Sequence, residues 1–244
     1  MSKNKPDKYG NDNDQESFAD VNLYLPLTDL IIPILHKLGL KPNHVTLLST
    51  IATIYSVYCF HNKSNNCYIF YFIGYLLDCM DGRMARKYNQ GSIFGMIFDL
   101  VSDNITNFPL LVSILLKVIN KFQNSSCDSY KALLIFLTII GLGFVLTVQY
   151  GINEAVLSYS KTKDDNFYLS KVKLLKENKC QDSFFGKLFL KITKQSYNSF
   201  RKVFPEKIND ETIEKFKKYQ IKLKDFGAGN YNLFIILCMY LLNN

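Results

Sequence analysis

The 244-residue chain is 48% hydrophobic and 14% aromatic, with a formal net charge of +8. It is too apolar for a disordered polymer, and its length fits one domain or two. Long apolar runs alternate with Lys-rich polar ones, the pattern of an integral membrane protein rather than a soluble globule. The six cysteines are scattered without a Cys-x-x-Cys pair, which excludes a disulfide framework and a zinc site. His36, His44 and His61 have no ligand spacing and read as interfacial or loop residues.

In chain order, residues 1–18 are polar and read as a disordered tail without the apolar region of a signal peptide. Val21–Gly39 contains two prolines and Asp29, which suit a short amphipathic helix at the membrane interface better than a spanning one. Five apolar runs follow: Val45–Phe60, Cys67 to about Met80, Ile93 to Ile119, Ala132–Tyr150 and Tyr231–Leu242. The second continues helically into the segment with Arg83 and Arg86. A span needs roughly 17–25 residues, so the first and fifth must borrow flanking positions.

Between Gly151 and Gly227 lies a polar insert holding 17 of the 29 Lys and Arg residues. Within it, SFFGKLFLKI and ETIEKFKKYQIKLKDF read as surface-lying amphipathic helices. The insert is either a solvated loop or a surface drawn to anionic headgroups. No nucleic-acid-binding module accompanies its charge, so nucleic acid is not expected as a partner. Lys37 and Lys41, then Arg83, Arg86 and Lys87, then the insert all fall on one side of the membrane. The positive-inside rule makes that side the cytosol.

One stretch carries chemistry. LLDCMDGRMARKYNQGSIFGMIFDLVSDN, residues 76–104, places Asp78, Asp81, Asp99 and Asp103 beside apolar spans. An ionised carboxylate there costs at least a few kcal/mol and persists only when compensated. Hard divalent cations such as Mg2+ or Mn2+ are the obvious compensators. Asp78 and Asp81 are i, i+3, and Asp99 and Asp103 are i, i+4, so each pair shares a helix face. A short connection makes the two helices antiparallel neighbours, with four carboxylates at one crevice. Four suffice for two ions about 4 Å apart, the arrangement that clamps attacking and leaving oxygens in phosphoryl transfer. Gly82, Ala85 and Gly95 leave room for a ligand or for close helix packing, and Arg86 can pair with a phosphate. Arg83 reads as a cytosolic anchor.

Written as DxxDGxxAR, eight residues, then GxxxDxxxD, the stretch resembles the signature of the CDP-alcohol phosphatidyltransferase family. The matching positions are Asp78, Asp81, Gly82, Ala85, Arg86, Gly95, Asp99 and Asp103. KPNHVTLLS also resembles the start of the family's first span, through Pro42, Asn43 and Thr46. The resemblance covers roughly Leu23–Tyr150. It fits the all-α polytopic membrane bundle after an interfacial helix that the apolar runs predict, although those runs give about five spans where family members usually have six or more. Together with the charge distribution, the reading is a membrane domain over 19–244 with the basic insert at about 151–227 facing the cytosol.

By the same resemblance, two ions of Mg2+ or Mn2+ sit on Asp78, Asp81, Asp99 and Asp103, and Asp103 acts as general base. Gly82, Ala85, Arg86 and Gly95, with Ser92, Asn43 and Thr46, would hold the CDP portion. The reaction implied is transfer of a substituted phosphate from a CDP-linked donor to an alcohol acceptor, with release of CMP, in phospholipid synthesis. The motif is similar to the phosphatidylinositol synthase version, which favours CDP-diacylglycerol plus a polar alcohol such as inositol. The segment before the first span is closer to the branch that joins CDP-choline or CDP-ethanolamine to diacylglycerol, the alternative. Asn104 stands where many CDP-diacylglycerol users have a basic residue. A homodimer through the spans is expected from the resemblance alone. Readings from other classes are a transporter cavity, a prenyltransferase-like Asp site and an inactive lipid-binding relative. Against the second, only 17 residues separate Asp81 from Asp99. Against the first, the chain lacks a repeat.

Overall fold

A computed structural model describes residues 16–124, 126–162, 166–205 and 208–243. The expected disordered tail therefore lies, over residues 1–15, outside the described residues. Among the described residues every regular element is helical. The chain forms two compact units, one of Ala19–Gly143 with 228–243, the other built around Phe144–Gly227.

In the first unit a π-helical turn, Asp20–Tyr24, leads into α1 (Leu25–Lys37), the expected interfacial helix. Pro26 at the start of α1 suits a first turn that has no partner for its N–H groups. Gly39, at φ +77°, takes the left-handed conformation that ends this helix. The chain then turns by 118° into α2 (Pro42–His61). Next come α3 (Asn66–Lys87), α4 (Ile93–Asn124), α5 (Ser126–Thr162) and, after the insert, α9 (Ala228–Asn243). Helices thus stand at all five apolar runs.

By length and apolarity, Ile93–Asn120, Tyr130–Ser160 and Asp210–Asn243 can each cross a membrane, with a fourth if the bent pair of α1 and α2 is one span. The protein is an all-α, multi-pass membrane bundle. Helix α3 does not qualify by composition because Asp78, Asp81, Arg83, Arg86 and Lys87 crowd its last turns.

Helices α2 and α3 form a tight pair along a seam of small residues. Ser49, Ala52 and Ser56 are buried on α2. The Ser49 hydroxyl donates to the Gly74 carbonyl at 2.9 Å, and the Ser56 hydroxyl to that of Cys67 at 2.7 Å. A β-carbon at Gly74 would collide with the Thr53 hydroxyl, so only glycine permits this approach. Beyond the seam, Val57, Phe60, Tyr71, Ile114, Ile139, Ile235 and Met239 bring α2, α3, α4, α5 and α9 into one apolar core.

The second unit contains α6 (Phe167–Glu177), α7 (Phe184–Val203) and α8 (Asp210–Leu223). Asn166, Ser183 and Asn209 cap them, each accepting a backbone N–H three residues on. Phe167, Phe200, Ile213 and Phe216 pack with Ile152 and Ala155 of α5 into a separate core. Helix α6 is an addition to the two amphipathic helices legible in the sequence. Helix α5 runs twelve residues past Tyr150, where the apolar run ends, and on this extension Glu154 is buried and ion-paired with Lys171 at 3.3 Å.

Candidate active site

Local sequence sets the geometry where α3 meets α4. Helix α3 ends at Tyr88, whose N–H reaches the Met84 carbonyl at 3.0 Å. Asn89 then takes φ 55°, a left-handed conformation that asparagine tolerates, and Gln90 closes back on the Ala85 carbonyl at 2.9 Å. Ser92 starts α4, its hydroxyl accepting the Gly95 N–H at 2.9 Å. The chain is thereby reversed within a few residues, but the two Asp-bearing helices, expected as direct neighbours, both pack against α2 and touch each other only sparsely.

Asp78, from α3, and Asp99 and Asp103, from α4, converge. Each is half-buried, and one carboxylate oxygen from each lies within 4.8 Å of the other two. Three like charges so close repel strongly in a poorly solvated site, and a cation is the natural compensator. The donors are all hard carboxylate oxygens, so the set fits Mg2+ or Mn2+ and not a soft metal.

Asp81 lies beside this trio. It is buried and accepts a hydrogen bond from the Thr46 hydroxyl of α2 at 2.5 Å. Thr46, expected beside a nucleotide, holds the carboxylate in place in this structure. Asn43 and Ser92 do converge on Gly95. A β-carbon there would come within 2.8 Å of the Asn43 side-chain oxygen and 3.1 Å of the Ser92 hydroxyl. Glycine at 95 is thus needed for α2 and the start of α4 to approach. Arg86 folds back over Gly82, where a β-carbon would lie 3.3 Å from its guanidinium. Ala85 is half-buried on the same helix.

Several contacts are not legible in the sequence. The Arg83 guanidinium, expected to be an anchor, pairs with Asp29 of α1 at 2.9 Å. The His36 ring stacks on Tyr88 with centroids 3.6 Å apart. Helix α1 is thus tied to the end of α3 that carries the motif. Asp20 accepts from the Tyr75 hydroxyl and from the Gly229 N–H, both at 3.1 Å, and so links α3 to the first turn of α9. All join residues distant in sequence, and the only hint is charge or aromaticity at an amphipathic helix.

Residues 40–176 match the model of the CDP-alcohol phosphatidyltransferase family, more than half of the chain. The chain belongs to the CDP-alcohol phosphatidyltransferase family. Its relatives include a CDP-diacylglycerol–inositol 3-phosphatidyltransferase of Saccharomyces cerevisiae, 30% identical over 127 residues, 52% of each chain. The protein of the same name in Candida albicans is 41% identical over 71 residues, 29% of this chain and 31% of its own. The human one is 43% identical over 47 residues, 19% of this chain and 22% of its own. The chain thus spans about half, or less, of the length of these relatives. No solved structure matches.

Proposed function

We propose that this CDP-alcohol phosphatidyltransferase transfers the phosphatidyl group of CDP-diacylglycerol to a polar alcohol, inositol foremost, and releases CMP. The observation that carries the reading is the meeting of Asp78, Asp99 and Asp103 within 4.8 Å between two helices. The names of the relatives support the choice of donor and acceptor. Family members work with divalent metal ions, and Asp78, Asp99 and Asp103, with Asp81 beside them, are the residues that would hold Mg2+ or Mn2+. When bound, the ions supply positive charge that offsets the pyrophosphate and stabilises CMP as a leaving group.

The protein's own groups perform the rest. Arg86, Gly82 and Ala85, with Asn43, Ser92 and Gly95, bind the CDP portion, the arginine through a charge-assisted contact to phosphate. Thr46 orients Asp81. Asp103 takes the proton of the acceptor hydroxyl, whose oxygen forms a bond to the β-phosphorus. The bond from that phosphorus to the oxygen bridging to the α-phosphorus breaks, and CMP leaves with the electron pair. The product is a phosphodiester-linked lipid. The site faces the cytosol in this reading, and the protein works as a homodimer through its spans.

The test uses purified protein in detergent with Mg2+ or Mn2+. It is offered CDP-diacylglycerol with inositol, serine or glycerol 3-phosphate, and CDP-choline or CDP-ethanolamine with diacylglycerol. CMP release is expected with CDP-diacylglycerol and inositol, lost on chelation and in Asp103→Asn. Release with CDP-choline instead moves the assignment to the other branch. No release from any pair by folded protein overturns the enzymatic reading in favour of a lipid-binding relative.

A further inference from the structure

Helix α7 has a face that the phosphatidyl transfer does not use. Gly186, Phe189, Thr193 and Phe200 are buried and hold the helix against its own unit. On the opposite side, Phe184, Lys187, Lys191 and Lys194 recur at spacings of three, four and three, which keeps them on one side of a 3.6-residue helix. All four are exposed, and Phe184, at 75%, is among the most exposed large apolar side chains in the protein. Phe185 is also exposed and stands edge-on to Phe184 with centroids 5.4 Å apart.

Among the described residues, the lysines on this face have no acidic counterpart. Helix α7 contains no Asp or Glu in its 20 residues, while it carries Lys187, Lys191, Lys194, Arg201 and Lys202. Helix α8 differs: Lys215 and Lys217 pair with Glu211 and Glu214, each at 2.7 Å, and need no external anion. Among the described residues, Lys187, Lys191 and Lys194 have no acidic partner.

We infer that this face of α7 is a docking surface for an anionic lipid bilayer, with Phe184 inserting between headgroups and the lysine row lying over them. An exposed aromatic such as Phe184 carries a hydration penalty in water that a headgroup region relieves. Lysine heads near negatively charged lipids are attracted within a Debye length, and their stems can lie along the interface. The segment is joined in sequence to α5 before it and α9 after it, both membrane-capable, so the bilayer is present at high effective concentration. A nucleic acid would also meet the lysines, but it gives no reason for an exposed phenylalanine, Phe184, at the head of the row. The inference stands apart from the transfer reaction, and either can fail alone.

The chain contains no tryptophan, so Phe184→Trp creates a single intrinsic reporter at an exposed position. The full-length variant is reconstituted into vesicles of phosphatidylcholine alone or with one third phosphatidylserine, each with and without brominated acyl chains. Blue-shifted emission and strong quenching by brominated lipid are expected in the anionic vesicles only. Both should be largely lost when Lys187, Lys191 and Lys194 are changed to Gln, and retained when they are changed to Arg. The Arg variant controls for folding. Equal quenching in both compositions, quenching in neither, or an effect insensitive to the Gln changes overturns the inference. A shift caused by added single-stranded RNA and not by phosphatidylserine overturns it in favour of a nucleic acid.

Discussion

The smallest decisive features are single hydroxyl and carboxylate groups. Asp81 and Thr46 come from different helices and share one buried hydrogen bond of 2.5 Å. A bond to a charged group is worth about 1.5–3 kcal/mol, so its loss should matter more than an ordinary contact. Thr46→Val, which keeps the shape and removes the donor, is expected to lower kcat/KM for CMP release on the order of tenfold or more. Thr46→Ser should stay near the parent rate. Equal rates for all three proteins would show that the bond does not position Asp81.

At the scale of elements, two devices fix α3, which carries Asp78 and Asp81, against its neighbours. The first is the seam between α2 and α3. Gly74→Val would drive a branched side chain into Thr53, and overpacking of this kind costs about 1–3 kcal/mol. Gly91, where a β-carbon would meet nothing within 4 Å, is the control. Thermal unfolding in detergent should show a lowered midpoint for Gly74→Val and little change for Gly91→Val. The second device is the turn Asp20–Tyr24. Asp20→Ala leaves the Tyr75 hydroxyl and the Gly229 N–H without their acceptor, a loss of about 1–3 kcal/mol. The same unfolding assay should register it, and amide exchange should quicken in the first turn of α9. By contrast, the Asp29–Arg83 pair has an exposed aspartate, and Asp29→Asn should cost under about 1 kcal/mol.

For the whole molecule, the question is which side of the membrane each basic segment occupies. We propose, from the distribution of Lys and Arg, that the loop after α3 and the insert share one side, the cytosol. Cys180 lies between α6 and α7 and is partly exposed, whereas Cys59, Cys67 and Cys238 are buried. In sealed, right-side-out vesicles, a variant with Cys180 as its only cysteine should resist a membrane-impermeant maleimide until the vesicles are opened. Labelling of intact vesicles would reverse the orientation.

Much of the architecture is legible in residue order alone. The doublets Asp78/Asp81 and Asp99/Asp103 announce paired helix faces, because helical spacing is a local rule. Helices α1 and α7 announce themselves by amphipathic pattern, and the five apolar runs by composition. Helix α6 does not, because its short run, FYLSKVKLLKE, mixes lysines with apolar residues and lies inside a longer basic tract. The role of Arg83 is hidden as well, since a cation beside a membrane reads as an anchor unless its partner, 54 residues earlier, is seen.

Residue types and their spacing suffice to establish the helical class, the membrane character and the four carboxylates, since each depends on neighbours within one or two turns. The arrangement of those carboxylates as a close trio with Asp81 beside it, held by Thr46, depends on how closely α2, α3 and α4 approach. That approach is governed by the absent side chains of Gly74 and Gly95 and by a hydrogen bond spanning 35 residues. Such contacts belong to packing in three dimensions, where distance along the chain carries no information.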